Sequence, residues 1–165
     1  MMSRVLTLVR HAKSSWSNDN LNDFDRPLND RGLKTAPLMG RRLSDANYTV
    51  DIIISSPAVR AMTTASIIAN EIGFDPLQIM QDADIYEASL ATLVKLITHL
   101  DDNYSSVMLV GHNPGFTVLC NLLSSAKIDS MPTCSLAQIQ FDVDSWSAIS
   151  EHIGELMKFD YPKKP

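Results

Sequence analysis

A chain of 165 residues with 45% hydrophobic and 20% charged side chains can bury a core without disulfide staples, and we expect one domain over residues 1–165. Its formal net charge of -5 argues against nucleic-acid or acidic-membrane partners, which recruit proteins through Lys and Arg, so a local cluster of basic residues must have a local purpose. Cys120 and Cys134 are too few for a disulfide framework and are not spaced as zinc ligands; with no signal-peptide pattern and no membrane-length apolar run, the expected setting is the reducing cytoplasm.

Val5 to Val9 is a short aliphatic and β-branched run, suited to a strand covered on both faces, and it stops at Arg10-His11. Ser14 to Asp25 is polar and reads as a surface loop, in which Asp19, Asp23 and Asp25 lack an ordered cation-ligand spacing and are expected to be solvated. Asn29 can cap a helix from Asp30, with Leu33, Ala36, Met39 and Leu43 as its buried stripe and Pro37 expected to kink or split it. A second strand, Asp51 to Ile54, turns through Ser55-Ser56-Pro57 into a helix with Ser56 as N-cap, Pro57 at its first position and Gly73 as its stop. Leu77 to Gln81 reads as a third strand, Asp82 to Ala88 as a loop, and Ser89 as the cap of a helix whose apolar face carries Leu90, Leu93, Val94, Ile97 and Leu100. Val107 to Val110 repeats the pattern of the first strand, ending in Gly111-His112-Asn113-Pro114-Gly115 before helical spacing resumes at Phe116. Toward the C-terminus, Leu136 to Phe141 and Trp146 to Ile149 read as paired strands, with a further one at Glu155 to Phe159. This alternation predicts a three-layer α/β/α sandwich with a mostly parallel sheet and an antiparallel edge contributed by the late hairpin.

Ligands of open α/β sheets bind beyond the carboxyl ends of the strands. Three strand-to-helix turns here present Arg10 and His11, then Arg60, then His112. Each has an ordinary explanation taken alone: a solvent-facing strand end, a helix start, a histidine bonding its own turn. Arg60 is the informative one, because it falls in a helix's first turn, where the macrodipole disfavours a cation by a few tenths to about 1 kcal/mol. A phosphate would compensate, since it favours helix N-termini and guanidinium forks. Two arginines and two imidazoles can hold the oxygens of a tetrahedral anion without a metal, and none is expected. His99 and His152 have no such setting.

In order, Leu8-Val9-Arg10-His11-Ala12-Lys13-Ser14-Ser15-Trp16, Asp25-Arg26-Pro27-Leu28-Asn29-Asp30-Arg31-Gly32, Ser55-Ser56-Pro57-Ala58-Val59-Arg60-Ala61, Ile85-Tyr86-Glu87-Ala88 and Val110-Gly111-His112-Asn113-Pro114 span most of the chain. Together these motifs resemble the histidine phosphatase superfamily, and within it the small SixA-type phosphohistidine phosphatases. The family's usual Arg-His-Gly triplet reads Arg10-His11-Ala12, which requires that residue 12 not need a positive φ.

The resemblance implies that His11 is a nucleophile forming a phosphohistidine intermediate that water hydrolyses, and that Arg10, Arg60 and His112 bind the phosphoryl oxygens. It implies no cofactor. Glu87 stands where wider relatives keep an acidic proton donor, against the plainer reading of a surface carboxylate. Segments between Arg60 and His112 are compact, unlike the longer insertions of the resembling phosphoglycerate mutases, and an open pocket suits a phosphorylated protein, such as a histidine-containing carrier domain, or a small phosphate ester. A general phosphomonoesterase, a small mutase-like enzyme and a silent phosphate-binding module are the alternatives.

Overall fold

The computed structural model describes residues 3–165. Six strands, β1 (Ser3–Arg10), β2 (Ile52–Ser55), β3 (Met80–Gln81), β4 (Ser106–Gly111), β5 (Leu136–Asp142) and β6 (Glu155–Asp160), form one sheet in the order β3-β2-β4-β1-β5-β6. Strands β1 to β4 pair in parallel, whereas β5 runs antiparallel to both β1 and β6, so the late hairpin builds the expected antiparallel edge. Four helices, α1 (Asp30–Asp45), α2 (Val59–Ile72), α3 (Leu90–Thr98) and α4 (Gly115–Leu123), cover the sheet.

Strand period 2 divides the core into two layers. Leu6, Leu8, Ile52, Ile54, Val107 and Leu109 face Leu93, Ile97, Phe116 and Leu119 of α3 and α4, while Val9, Ile53, Met108 and Val110 face Ala36, Met39, Ala65 and Ile68 of α1 and α2. The α/β/α sandwich read from the sequence is therefore the fold observed. Among the described residues, no helix is long and apolar enough to cross a membrane.

Several local expectations are corrected. Pro37 does not split α1, which runs continuously; the Asn29 cap on the Gly32 N–H (2.9 Å) and the packing of Ala36, Met39 and Leu43 hold the rest of the ladder. Leu33 is half exposed, because the inward face of that turn belongs to Gly32, where a Cβ would overlap the Lys13 carbonyl oxygen. Only Met80–Gln81 of the third strand pairs, since Asp75 caps the Leu77 N–H at 3.0 Å and Pro76 starts a 3-10 turn. Trp146 to Ile149 is not a strand: Trp146 is fully buried at the start of a 3-10 turn, its indole N–H donating to the Tyr104 carbonyl (2.8 Å) and its ring lying 5.6 Å from the Arg4 guanidinium. The partner of β5 is β6.

Helix α2 begins at Val59, with Ala58 as its N-cap residue, so Ser56 and Pro57 precede the helix rather than start it. Gly73 does end it, at φ 78°.

Candidate active site

The parallel register sets Arg10 level with Gly111 and Ser55 level with Val110, so the next residue of each strand, His11, His112 and Ser56, steps off the sheet at the same edge. Backbone bonds fix the exits: His11 N–H donates to the Gly111 carbonyl (3.0 Å) and Ser56 N–H to the Val110 carbonyl (2.9 Å). The imidazoles of His11 and His112 then lie 5.2 Å apart, centroid to centroid.

His11 is 8% exposed and its Nδ1 lies 2.7 Å from the Ala12 carbonyl oxygen. A carbonyl can only accept, so Nδ1 carries the proton and Nε2 keeps its lone pair. Burial, then the charges of Arg60, Arg10 and Arg26, push its pKa from 6.5 to about 4, against the raising effect of the Ala12 bond. The imidazole is thus neutral at pH 7, which is the form a nucleophile needs. His112 is pushed to about 3 by burial and by the neighbouring His11 and Arg60 charges; its Nε2 lies 2.7 Å from the Ser56 hydroxyl, and its buried Nδ1 has no partner. Ala12 is fully buried and not at positive φ, so the alanine is accommodated; its N–H donates to the Thr64 hydroxyl (2.9 Å), which donates to the Arg60 carbonyl (2.8 Å), tying the end of β1 to α2.

Arg10 donates from Nη1 to the Met131 carbonyl at 2.7 Å, while its buried Nε lacks a partner. Arg60 donates to the Asp23 carbonyl (2.6 Å) and to its carboxylate (2.9 Å). Asp23 also accepts from Arg26 (3.1 Å) and from the Tyr86 hydroxyl (2.7 Å). Burial pushes the Asp23 carboxyl up, but the Tyr86 and Arg60 hydrogen bonds and the Arg60 and Arg26 charges outweigh it and hold its pKa below the usual 3.8. The solvated acidic loop expected of Asp23 is corrected accordingly: its carboxylate closes over the basic site.

Arg26, to which the sequence motifs assign no role, also reaches this edge, where its charge acts on His11. It is 6% exposed, donates to the Ser14 hydroxyl and the Ser15 carbonyl, and its guanidinium lies 3.3 Å from the Trp16 ring centroid. Its signal in the sequence is its place in the Asp25-Arg26-Pro27-Leu28 motif, at the end of a loop of Asn, Asp and Ser. Ser56 and Tyr86 were missed for different reasons: Ser56 mimics a helix cap, and Tyr86, whose ring lies 5.5 Å from His112, sits in a segment without periodicity.

Glu87 stands at the lip of a cleft of about 240 Å³ shared with His112, Asn113 and Pro114. Its side chain is exposed, makes no hydrogen bond or ion pair, and its backbone takes φ 54°. The structure thus brings Arg10, His11, Arg60 and His112 together and leaves Glu87 at the rim. His99 is exposed, and His152 bonds the Ser124 carbonyl; both are remote from this edge in their contacts. Among the described residues no group of three or more His, Cys, Asp or Glu is placed to hold a metal ion.

Residues 6–99 match the model of the histidine phosphatase superfamily (branch 1). The chain belongs to the histidine phosphatase superfamily. An uncharacterised chloroplast protein of Arabidopsis thaliana is 32% identical over 155 residues, covering 88% of this chain and 70% of that one. A 2,3-bisphosphoglycerate-dependent phosphoglycerate mutase of Methylobacterium radiotolerans is 32% identical, but over only 94 residues, 56% of this chain and 44% of the mutase. The crystal structure of an Agrobacterium tumefaciens protein assigned by name to SixA phosphohistidine phosphatases superposes at a TM-score of 0.79 with 30% identity, over 96% of this chain and 98% of that one. A histidine phosphatase fold of SixA size, with phosphatase- or mutase-like chemistry, is what these likenesses support.

Proposed function

We propose that this chain hydrolyses phosphohistidine on proteins through a covalent intermediate on His11. The observation that carries the reading is an imbalance in the site: cations and a neutral nucleophile are held in place, but an ordered acid is not. The carboxylate of Asp23 is committed to Arg60, Arg26 and Tyr86, and that of Glu87, at the lip of the cleft, is exposed and unanchored. An alkoxide leaving group needs a proton in the transition state, and a positioned general acid is worth about 10²- to 10⁴-fold. An imidazole leaving group, with a conjugate acid near pKa 6.5, can bring its own.

In the reaction, His11 Nε2 attacks phosphorus as the bond to the substrate imidazole breaks, and water then cleaves the new N–P bond to release phosphate. Arg10, Arg26 and Arg60 stabilise the three peripheral oxygens, the dominant contribution in phosphoryl transfer. The unpartnered Arg10 Nε and His112 Nδ1 are the groups such oxygens would satisfy. The extensive SixA-type likeness, against a mutase match restricted to part of either chain, favours the hydrolase over the mutase.

The test is to mix the enzyme with a phosphorylated histidine-containing carrier domain and, separately, with alkyl phosphates. Acid-labile, base-stable phosphate should appear on His11, His11→Ala should abolish turnover while retaining some phosphate binding, and the carrier domain should be preferred. Near-normal turnover by His11→Ala would end the covalent mechanism, and a preference for alkyl phosphates would end the substrate assignment.

A further inference from the structure

A second basic feature lies on the same edge of the sheet. Lys13, Arg31 and Lys163 line a cleft of about 310 Å³ together with Thr35, Thr133 and Tyr161. The pairing of Val9 with Leu136 and of Leu136 with Asp160 places the residues before β5 and after β6 at the carboxyl end of β1, where His11 emerges. The cleft is also joined to the site through the backbone: the Cys134 N–H donates to the His11 carbonyl (3.0 Å), and Met131, next to the cleft residue Pro132, accepts from Arg10.

Three features distinguish it from an ordinary solvated surface. The side chains of Lys13, Arg31 and Lys163 are exposed and make no hydrogen bond or ion pair, in a chain whose net charge is -5. Arg31 stands in the first turn of α1, where a cation opposes the macrodipole as Arg60 does in α2. The segment bearing Lys163 is held down: Arg42 donates to the carbonyls of Tyr161 (2.9 Å) and Pro162 (3.0 Å) and to the Asp160 carboxylate (3.1 Å). Three unpaired cations are therefore presented on an ordered frame beside the site.

We infer that this cleft docks an acidic patch on the protein whose phosphohistidine is hydrolysed. The inference rests on the proposed function and adds to it a property of the partner, which is a surface rich in Asp and Glu flanking the phosphorylated histidine. Such complementarity steers encounter and fixes orientation more than it alters the chemical step, so it belongs in KM and in salt dependence.

The test is the double variant Arg31→Glu/Lys163→Glu, neither residue being part of the phosphate site. It is assayed on a panel of phosphohistidine carrier domains with acidic surfaces and on phosphoramidate, with thermal unfolding to verify the fold. KM for the carrier domains should rise about tenfold with kcat little changed, the salt dependence of the wild type should flatten, and phosphoramidate hydrolysis should stay within about twofold. Arg31→Gln/Lys163→Gln should give a smaller loss of the same kind. An unchanged KM for a carrier domain that the wild type dephosphorylates would overturn the docking surface and leave the proposed function standing. Equal losses on phosphoramidate would overturn it too, by assigning these cations to the phosphate site. Activity of the wild type on phosphoramidate but on no carrier domain would remove the protein substrate and this inference together.

Discussion

His11 and His112 are neutral for reasons that also make the fold sensitive to acid. In the unfolded chain both titrate near 6.5, but in the folded protein burial and the surrounding arginines lower them to about 4 and about 3. Between those limits the unfolded state binds more protons, so stability falls as pH drops from 6.5 toward 4 and is unaffected by these groups above about pH 7. For His11 the interval is worth on the order of 3 kcal/mol. Asp23 acts in a separate window: its depressed pKa contributes stability above the ordinary 3.8 that is lost only below it. We expect denaturant unfolding of the wild type to show a marked loss between pH 7 and pH 4.5, and His11→Asn to show a smaller one. Parallel pH dependences for the two proteins would mean that His11 protonates freely in the folded state. The same residues show why the site was legible: an Arg-His pair at one strand end and a histidine at another are visible as chemistry in a linear sequence. Arg26 and Asp23 were not, because their positions depend on how a loop without periodicity folds back.

At the level of elements, β1, β2, β4, α2 and α3 could be read directly, since buried parallel strands are continuous apolar runs and an amphipathic helix repeats its stripe. Tertiary contacts decide two of the pieces that differ, Trp146 through its anchors on Tyr104 and Arg4 and Ser56 through His112, whereas a local cap at Asp75 shortens β3. The loop ahead of α1 is the functional case. Its Asp23 carboxylate occupies Arg60, Arg26 and Tyr86 at once and so competes with any phosphoryl group for two of the three arginines. Asp23 is about half exposed, and the coupling should be no more than about 1 kcal/mol after solvent screening, or roughly fivefold in affinity. Asp23→Asn, which keeps the shape and drops the charge, should therefore tighten inhibition by phosphate by up to about fivefold. Weaker inhibition would show instead that the carboxylate is needed to orient Arg60.

On the scale of the whole molecule, an acidic chain with 19 Asp and Glu against 14 Lys and Arg gathers Arg10, Arg26 and Arg60 around His11 at one sheet edge, with Asp23 bonded to two of them. That distribution suits a dianion and opposes a divalent metal. A metal entering beside His11 would meet three guanidinium groups and lose hydration to ligands that cannot replace it, because the nearby carboxylate, Asp23, is already shared by two arginines and a tyrosine. In metal-dependent phosphoryl transfer the ion neutralises developing charge, the role that the proposed mechanism gives to the arginines. Hydrolysis of phosphohistidine should accordingly persist after dialysis against EDTA, with no gain when Mg²⁺, Mn²⁺ or Zn²⁺ is restored, and Arg60→Ala should not be rescued by any of them. Arg60→Lys should also be impaired, since an ammonium keeps the charge but not the two-pronged contact. Loss of activity in EDTA and recovery with a divalent cation would show that charge neutralisation by arginine is insufficient, and the roles given to Arg10, Arg26 and Arg60 would have to be reassigned.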